Sequence, residues 1–273
     1  MAPHSGRAGD LAALGVELVV GDLHDFPSVA NAVRGVRTVF SVQMPTLSAT
    51  GADFDGEVAQ AENLITAARQ SGVEHFVQTT VTGAGQHVDA PEWEPGRWAV
   101  EPSLTAKTVV QESIRAAGFP RWTILKPGFF MENFLPSAQF MFPNGIDGGL
   151  VSILKPATHL SLVAVDDIGA AAAAAITDPK RFDGVELELA SDHLSMAQIA
   201  EVLSRALERT ITAPDMTGEQ ALAAGMGHYG LAHEWLNVHG QPARPEYAAA
   251  LSIPLTGFDE WSRTRLLATL PAP

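Results

Sequence analysis

WTILKPGFFMENF, residues Trp122 to Phe134, is the stretch that decides the fold of this chain. Its first four residues, Trp122 to Leu125, form a short apolar, partly β-branched run of the kind that makes a buried strand. Pro127 and Gly128 end that run, and the aromatic pair Phe129 and Phe130 follows beyond the strand's carboxyl end. In an open α/β sheet, that end of the strands is where ligands bind.

The same alternation of strand and helix extends upstream. Val16 to Val20 reads as a strand, followed by Gly21-Asp22 and a helix from about Pro27 to Arg34. Thr38 to Val42 is a second strand. A helix follows from Glu57 to Gln70, with Val58, Ala61, Ile65 and Ala68 at helical spacing and Gly72 after its end. His75 to Val81 is a strand, and Ser103 to Ala117 a helix closed by Gly118. Short strands separated by helices of ten or more residues predict βαβ units and a parallel sheet. The connection from Thr82 to Pro102 is long and rich in Gly, Pro and acidic residues. Two readings of it stand: a cover over a site, or a solvated loop.

Beyond Phe134 the pattern is less regular. Ser161 to Val165 and Val185 to Ala190 read as strands flanking a helix from Asp167 to Ile176. Ser195 is placed to cap a helix running to Leu207, with Ile199, Val202, Leu203 and Leu207 on one face. Helices around Gly218 to Ala224, at Glu234 and from Asp259 to Leu267 complete a small, mostly helical lobe. That lobe is expected against the sheet's carboxyl edge, where it shapes a substrate pocket. The expected division is therefore residues 1–150 as a nucleotide-binding type of domain and 151–273 as a segment that returns to the sheet and then forms the lobe.

Composition narrows the function. The chain has 273 residues, 46% of them apolar, which is enough for a real core. A net charge of −14 argues against a nucleic-acid surface, because phosphate binding needs clustered Lys and Arg. There is no cysteine, so disulfides, thiolate catalysis and cysteine-held zinc are excluded. The longest apolar run, Ile168 to Ile176, is mostly alanine and too short to span a bilayer. With no apolar leader in the first residues, a cytoplasmic protein without membrane contact is expected. His228 and His233 lie five apart beside Glu234 and do not form a zinc-binding HExxH pattern, so no metal site is expected.

Among residues able to do chemistry, Lys107 leads. On a helix it lies in the same stripe as Leu104, Val110 and Ile114, with Ser103 sharing the face. A buried ammonium needs a ligand or a carboxylate, unless the side chain snorkels from the stripe's edge. Thr79 and Thr80 end the preceding strand; their hydroxyls either meet a carbonyl or ribose or simply finish the strand. Asp22 follows the first strand, either accepting from an adenine amino group or facing solvent in a turn. Gly6, Gly9 and Gly15 have no strand before them, and Gly15 is better read as the residue that ends a helix starting near Ala8.

GVELVVGDLHD (Gly15 to Asp25), HFVQTTV (His75 to Val81), Lys107 on a helix ending RAAGFP, TILKPGFFMENF, and VAVDDIGAAAAAAI (Val163 to Ile176) together resemble the NmrA-like group of atypical short-chain dehydrogenases/reductases. The resemblance implies a Rossmann-like parallel sheet and NAD(P)H as cofactor. It places Asp22 by the adenine, Gln43 by the cofactor's middle, and Thr79 and Lys107 on the cofactor, with Pro127, Gly128 and Phe129 flanking the nicotinamide. Lys107 and Thr80 are then the catalytic candidates, and Phe130 and Asn133 the substrate-binding ones. Where the wider short-chain family has a tyrosine four residues before its lysine, this chain has Ser103, a far weaker acid. The implied function is an NAD(P)H-dependent oxidoreductase acting on a small apolar carbonyl or quinone-type substrate. Two alternatives stand beside it: a non-enzymatic NAD(P) sensor or partner-binding protein, and a cofactor-free pocket recruited to another reaction. On this reading, replacing Lys107 by Ala weakens ligand engagement and leaves the fold intact, unless the lysine belongs to an internal ion pair.

The resemblance begins just after the position of the family's second strand. About 30 residues of a first βαβ unit, including its glycine loop, are thus expected to be missing, and the sheet is expected to be N-terminally truncated. The chain is then expected to close the gap by pairing Val16–Val20 directly with Thr38–Val42, or to bury the open edge in a homodimer.

Overall fold

The computed structural model describes residues 6–48 and 51–270. In chain order its first elements are α1 (Gly6–Ala13), α2 (Phe26–Ala32), β1 (Thr38–Ser41), β2 (Thr46–Ser48), β3 (Gly51–Asp53), α3 (Phe54–Gln70), β4 (His75–Thr79), α4 (Glu101–Ala116), β5 (Arg121–Pro127) and β6 (Phe129–Phe130). They are followed by β7 (His159–Val163), α5 (Val165–Thr177), β8 (Val185–Leu189), β9 (Asp192–Ser195), α6 (Met196–Ala206), α7 (Gly218–Ala223), α8 (Glu234–Val238), α9 (Pro245–Ala250) and α10 (Phe258–Trp261). The main sheet is wholly parallel in the order β1-β4-β5-β8. Its fourth strand comes from the second half of the chain.

Helices cover both faces, and the two-residue period of the strands explains why. Phe76 and Ile124 point to one side, into a cluster with Ala61 and Ile65 of α3 and Val110 and Ile114 of α4. Their neighbours Val77 and Leu125 point to the other side, against Ala171, Ala172 and Ala175 of α5. All five residues of β4 are buried, as expected for a central parallel strand. The small side chains let α5 approach the sheet closely. Local chemistry sets the helix ends: Asp53 accepts from Gly56 N at the start of α3, and Ser195 forms a capping box with Gln198 before α6.

A second, three-stranded sheet runs β6-β7-β9, with β6 parallel and β9 antiparallel to β7. It roofs a separate core in which Phe134, Phe142, Leu160, Leu162, Ile199 and Trp261 are buried. Gly128 joins the two sheets. A Cβ there would sit 2.0 Å from the carbonyl oxygen of Ser161 on β7, so only glycine permits this approach.

The strand expected at the N-terminus is overturned. Val16 to Val20 is no strand and has no ladder partner among the described residues. Its apolar residues are exposed, Val20 at 76%. The segment leaves α1 through Gly15, which takes the left-handed conformation at φ +81°, and only Val16 N reaches back, to Leu11 O. The sequence reading of Gly15 as a helix terminator holds; the strand after it does not. Among the described residues β1 has β4 on one side only and is an edge strand, and Val16–Val20 does not pair with it.

Five of these elements went unread in the sequence: β2 and β3, which form a hairpin, β6, β9 and α9, each of six residues or fewer. Among the described residues, no helix is long and apolar enough to cross a membrane.

Candidate active site

At the carboxyl end of the main sheet lies a cleft of about 910 Å³, lined mainly by apolar side chains. Its floor is Gly128 and Phe129 at the end of β5. One wall is Ser103, Leu104 and Lys107 of α4 with Glu57 of α3. The opposite wall comes from residues 226–244 of the C-terminal lobe. The long connection after β4 supplies a third side through Thr82, Gly83, Gln86 and His87.

That connection is an ordered part of the wall. Glu188 of β8 forms a buried ion pair with Lys126 of β5 at 2.8 Å. The same carboxylate accepts from Thr82 Oγ1 at 2.5 Å, from Gly83 N and from Gln86 Nε2, which pins the start of the loop to the sheet. Farther along, Trp93 and Trp98 pack edge-on against Trp235 of α8, with ring centroids 5.3 and 5.0 Å apart. His239 stacks on the same indole. Four aromatic rings thus join loop to lobe.

Lys107 reaches the cleft from the buried stripe of α4, with 14% of its side chain exposed. Its ammonium donates to a carboxylate of Glu57 and, at 3.4 Å, to the backbone oxygen of Gln43. Glu57 is 1% exposed, and its second oxygen, Oε2, has no hydrogen-bond partner among the described residues. An ammonium with a spare N–H therefore stands beside a carboxylate with a spare lone pair, the two needs that a single hydroxyl can satisfy. Glu57 was not singled out in the sequence, although the signal was there. It lies four residues before Ala61 and seven before Leu64 on the buried face of α3, the counterpart of Lys107 on α4. The stability expected of Lys107→Ala is corrected accordingly: the lysine does belong to an internal ion pair, and its loss strands a buried carboxylate.

The structure brings Lys107, Gly128, Phe129, Phe130 and Asn133 together around the cleft. The other sequence candidates lie away from its lining. Asp22 is an exposed turn residue whose Oδ1 accepts from His24 N. Gln43 sits behind the wall, its side chain donating to Ser41 Oγ and accepting from Gln78. Thr80 is clamped between Leu125 O, which accepts from its backbone N–H, and Gln111 Nε2, which donates to its hydroxyl. Thr79 Oγ1 is buried without a partner among the described residues, and Pro127 ends β5.

Several cleft residues come from the lobe and were not assigned a role from sequence. Tyr229 holds its proton more firmly than usual, through shielding from water and then the charge of Glu57. Arg244 and Lys107 are the only Lys or Arg among the described lining residues. Arg244 donates to the carbonyl oxygens of Gln241 and Ala243 and has no carboxylate partner among the described residues. His233 lies 5.5 Å from the rings of both Phe129 and Phe140. Burial pushes its pKa down to about 4, so its imidazole is neutral near neutral pH.

The chain belongs to the NmrA-like family, whose model matches residues 2–233. Among proteins of established activity, it is similar to the NAD(P)H azoreductase of Xenophilus azovorans, 32% identical over 251 residues, covering 90% of this chain and 79% of that protein. It is also similar to quinone oxidoreductase 2 of Escherichia coli, 26% identical over 226 residues, with 82% and 70% covered. Its fold matches the triphenylmethane reductase of Citrobacter sp. with a TM-score of 0.77 at 18% identity, over 96% of this chain and 87% of that one. A Rossmann-like α/β architecture follows from this match.

Proposed function

We propose that this protein is an NAD(P)H-dependent oxidoreductase that reduces a small, flat, conjugated acceptor of quinone or azo type. The observation that carries the reading is the convergence of the Lys107–Glu57 pair with Gly128 and Phe129 in one apolar cleft at the carboxyl end of a parallel sheet. Two of the proteins it resembles, an azoreductase and a quinone oxidoreductase, support that choice of acceptor.

The residues present fit the reactive half of a dinucleotide. The unpartnered oxygen of Glu57 and the spare N–H of Lys107 suit a ribose hydroxyl, and Gly128 and Phe129 offer a flat floor for the nicotinamide. When bound, the cofactor supplies a hydride. Lys107 then orients the ribose and holds positive charge near the reacting centre, while Glu57 keeps that ammonium in place. Phe129, Phe130 and the lobe exclude water. Ser103 and the spare N–H of Lys107 on one wall, and Tyr229 on the opposite one, are groups that bear a proton towards the cleft.

Ser103, in place of a phenol, favours one other reading: a protein that binds the cofactor and senses it without turnover. One experiment separates the two. The protein is titrated with NADPH and NADH by tryptophan fluorescence, and nicotinamide absorbance is then followed with an azo dye or a naphthoquinone as acceptor. Binding with stoichiometric cofactor oxidation is expected. Binding without oxidation by any acceptor establishes the sensor, and absence of binding overturns both.

A further inference from the structure

We propose that His233 reads the substrate: its Nε2–H donates a hydrogen bond to a carbonyl oxygen or azo nitrogen of a flat aromatic acceptor held against Phe129 and Phe140. The proposal rests on the oxidoreductase reading and names the residue that selects its acceptor.

The argument starts from an unpaired group. His233 Nδ1 is buried and has no hydrogen-bond partner among the described residues. A neutral imidazole carries one N–H and one bare nitrogen, and the environment decides which is which. A buried N–H without an acceptor is costlier and rarer than a buried lone pair without a donor. The proton therefore belongs on Nε2. The ring is only partly buried and lines the cleft, so with Nδ1 enclosed, the edge it offers to the cleft is the one bearing Nε2.

The surroundings state what that donor meets. Phe129 and Phe140 stand 6.3 Å apart, and each meets the imidazole at a steep angle, 60° and 67°. These three rings form an apolar patch of the cleft wall, with the imidazole edge as a polar group beside it. A flat aromatic ligand gains from the rings, and one with an acceptor atom at its edge also gains the hydrogen bond. Because the imidazole is uncharged, it polarises an acceptor without introducing a buried cation.

The test uses binding rather than turnover. Two probes of nearly equal outline are titrated by quenching of tryptophan fluorescence, Trp235 being in the cleft wall: 2-methyl-1,4-naphthoquinone and 2-methylnaphthalene. The chain has no cysteine, so the quinone has no thiol to arylate. Wild-type protein is expected to prefer the quinone. His233→Phe keeps an aromatic ring and is expected to weaken quinone binding about tenfold, the worth of a hydrogen bond, with hydrocarbon binding unchanged. His233→Gln retains a donor at similar reach and is expected to recover part of the loss. The proposal is overturned if wild-type protein does not prefer the quinone. It is also overturned if His233→Phe changes both probes alike or neither, or if His233→Gln behaves as His233→Phe does. NADPH titration of the same three proteins stands apart: its failure in the wild type would sink the oxidoreductase reading, whatever the two probes report.

Discussion

Val16 to Val20 (VELVV) and β4 (HFVQT) carry similar short apolar runs, and the structure treats them in opposite ways. β4 is buried at every residue, bonded to β1 and β5 and covered by helices on both faces. Val16 to Val20 has no strand beside it among the described residues, and its valines and leucine face solvent. A run of β-branched residues is thus only a candidate for a sheet. It becomes a strand when neighbours satisfy its backbone groups and a core accepts its side chains.

The sharpest test of that contrast is the removal of one side chain from each region. Phe76 is fully buried in β4, and Phe76→Ala is expected to cost about 3–5 kcal/mol in urea unfolding. Val20→Ser is expected to stay within about 0.5 kcal/mol of wild type. A comparable loss at both positions would mean that the N-terminal segment is docked in solution.

Next in size is the pair that links α3 to α4 beside the sheet. Lys107→Met leaves Glu57 charged and 1% exposed without a partner, and a loss of about 3 kcal/mol is expected. Adding Glu57→Leu should recover most of that stability, because the unpaired charge is gone. If Lys107→Met alone unfolds at the wild-type urea concentration, the ion pair does not form in solution.

The smallest effect concerns His233 and is read from pH. Its folded value of about 4 lies below the ordinary histidine value of 6.5. Between those values the unfolded chain takes up a proton that the folded chain refuses. His233 therefore lowers stability as pH falls from about 6.5 towards 4, and has no such effect above that window. The ring is partly open to the cleft, so the contribution between about pH 7 and about pH 5 is on the order of 2 kcal/mol or less. His233→Phe should flatten the slope of urea midpoints over that range. An unchanged slope would show that the imidazole titrates normally.

Much of the fold was legible for a local reason. Helix α3 follows the spacing of Ala61, Ile65 and Ala68; α6 follows its Ser195 cap; β5 follows the run from Trp122 that ends at Pro127-Gly128. Each signal is contained within a few residues. The cleft was legible at Lys107 on α4 and at Gly128, Phe129, Phe130 and Asn133 just beyond β5. It was not legible for Tyr229, His233 and Arg244, which come from short turns and helices of the lobe with little periodicity of their own. Gln43 was expected at the cofactor from the family resemblance and Thr80 from its place at a strand's end, yet neighbouring side chains claim their polar groups.

By itself, the sequence determined most of the alternating strands and helices, the buried run that became β5, and a lysine on an apolar stripe, because all of these are properties of one element at a time. Only the tertiary structure decided that the partner of this lysine is Glu57, 50 residues away, and that Val16 to Val20 has no neighbour to make it a strand. It also decided that His233 is enclosed between two phenylalanines and kept neutral. A charge finds its partner, a strand its ladder and an imidazole its protonation state only where separate elements meet, and no spacing within a single element records that meeting.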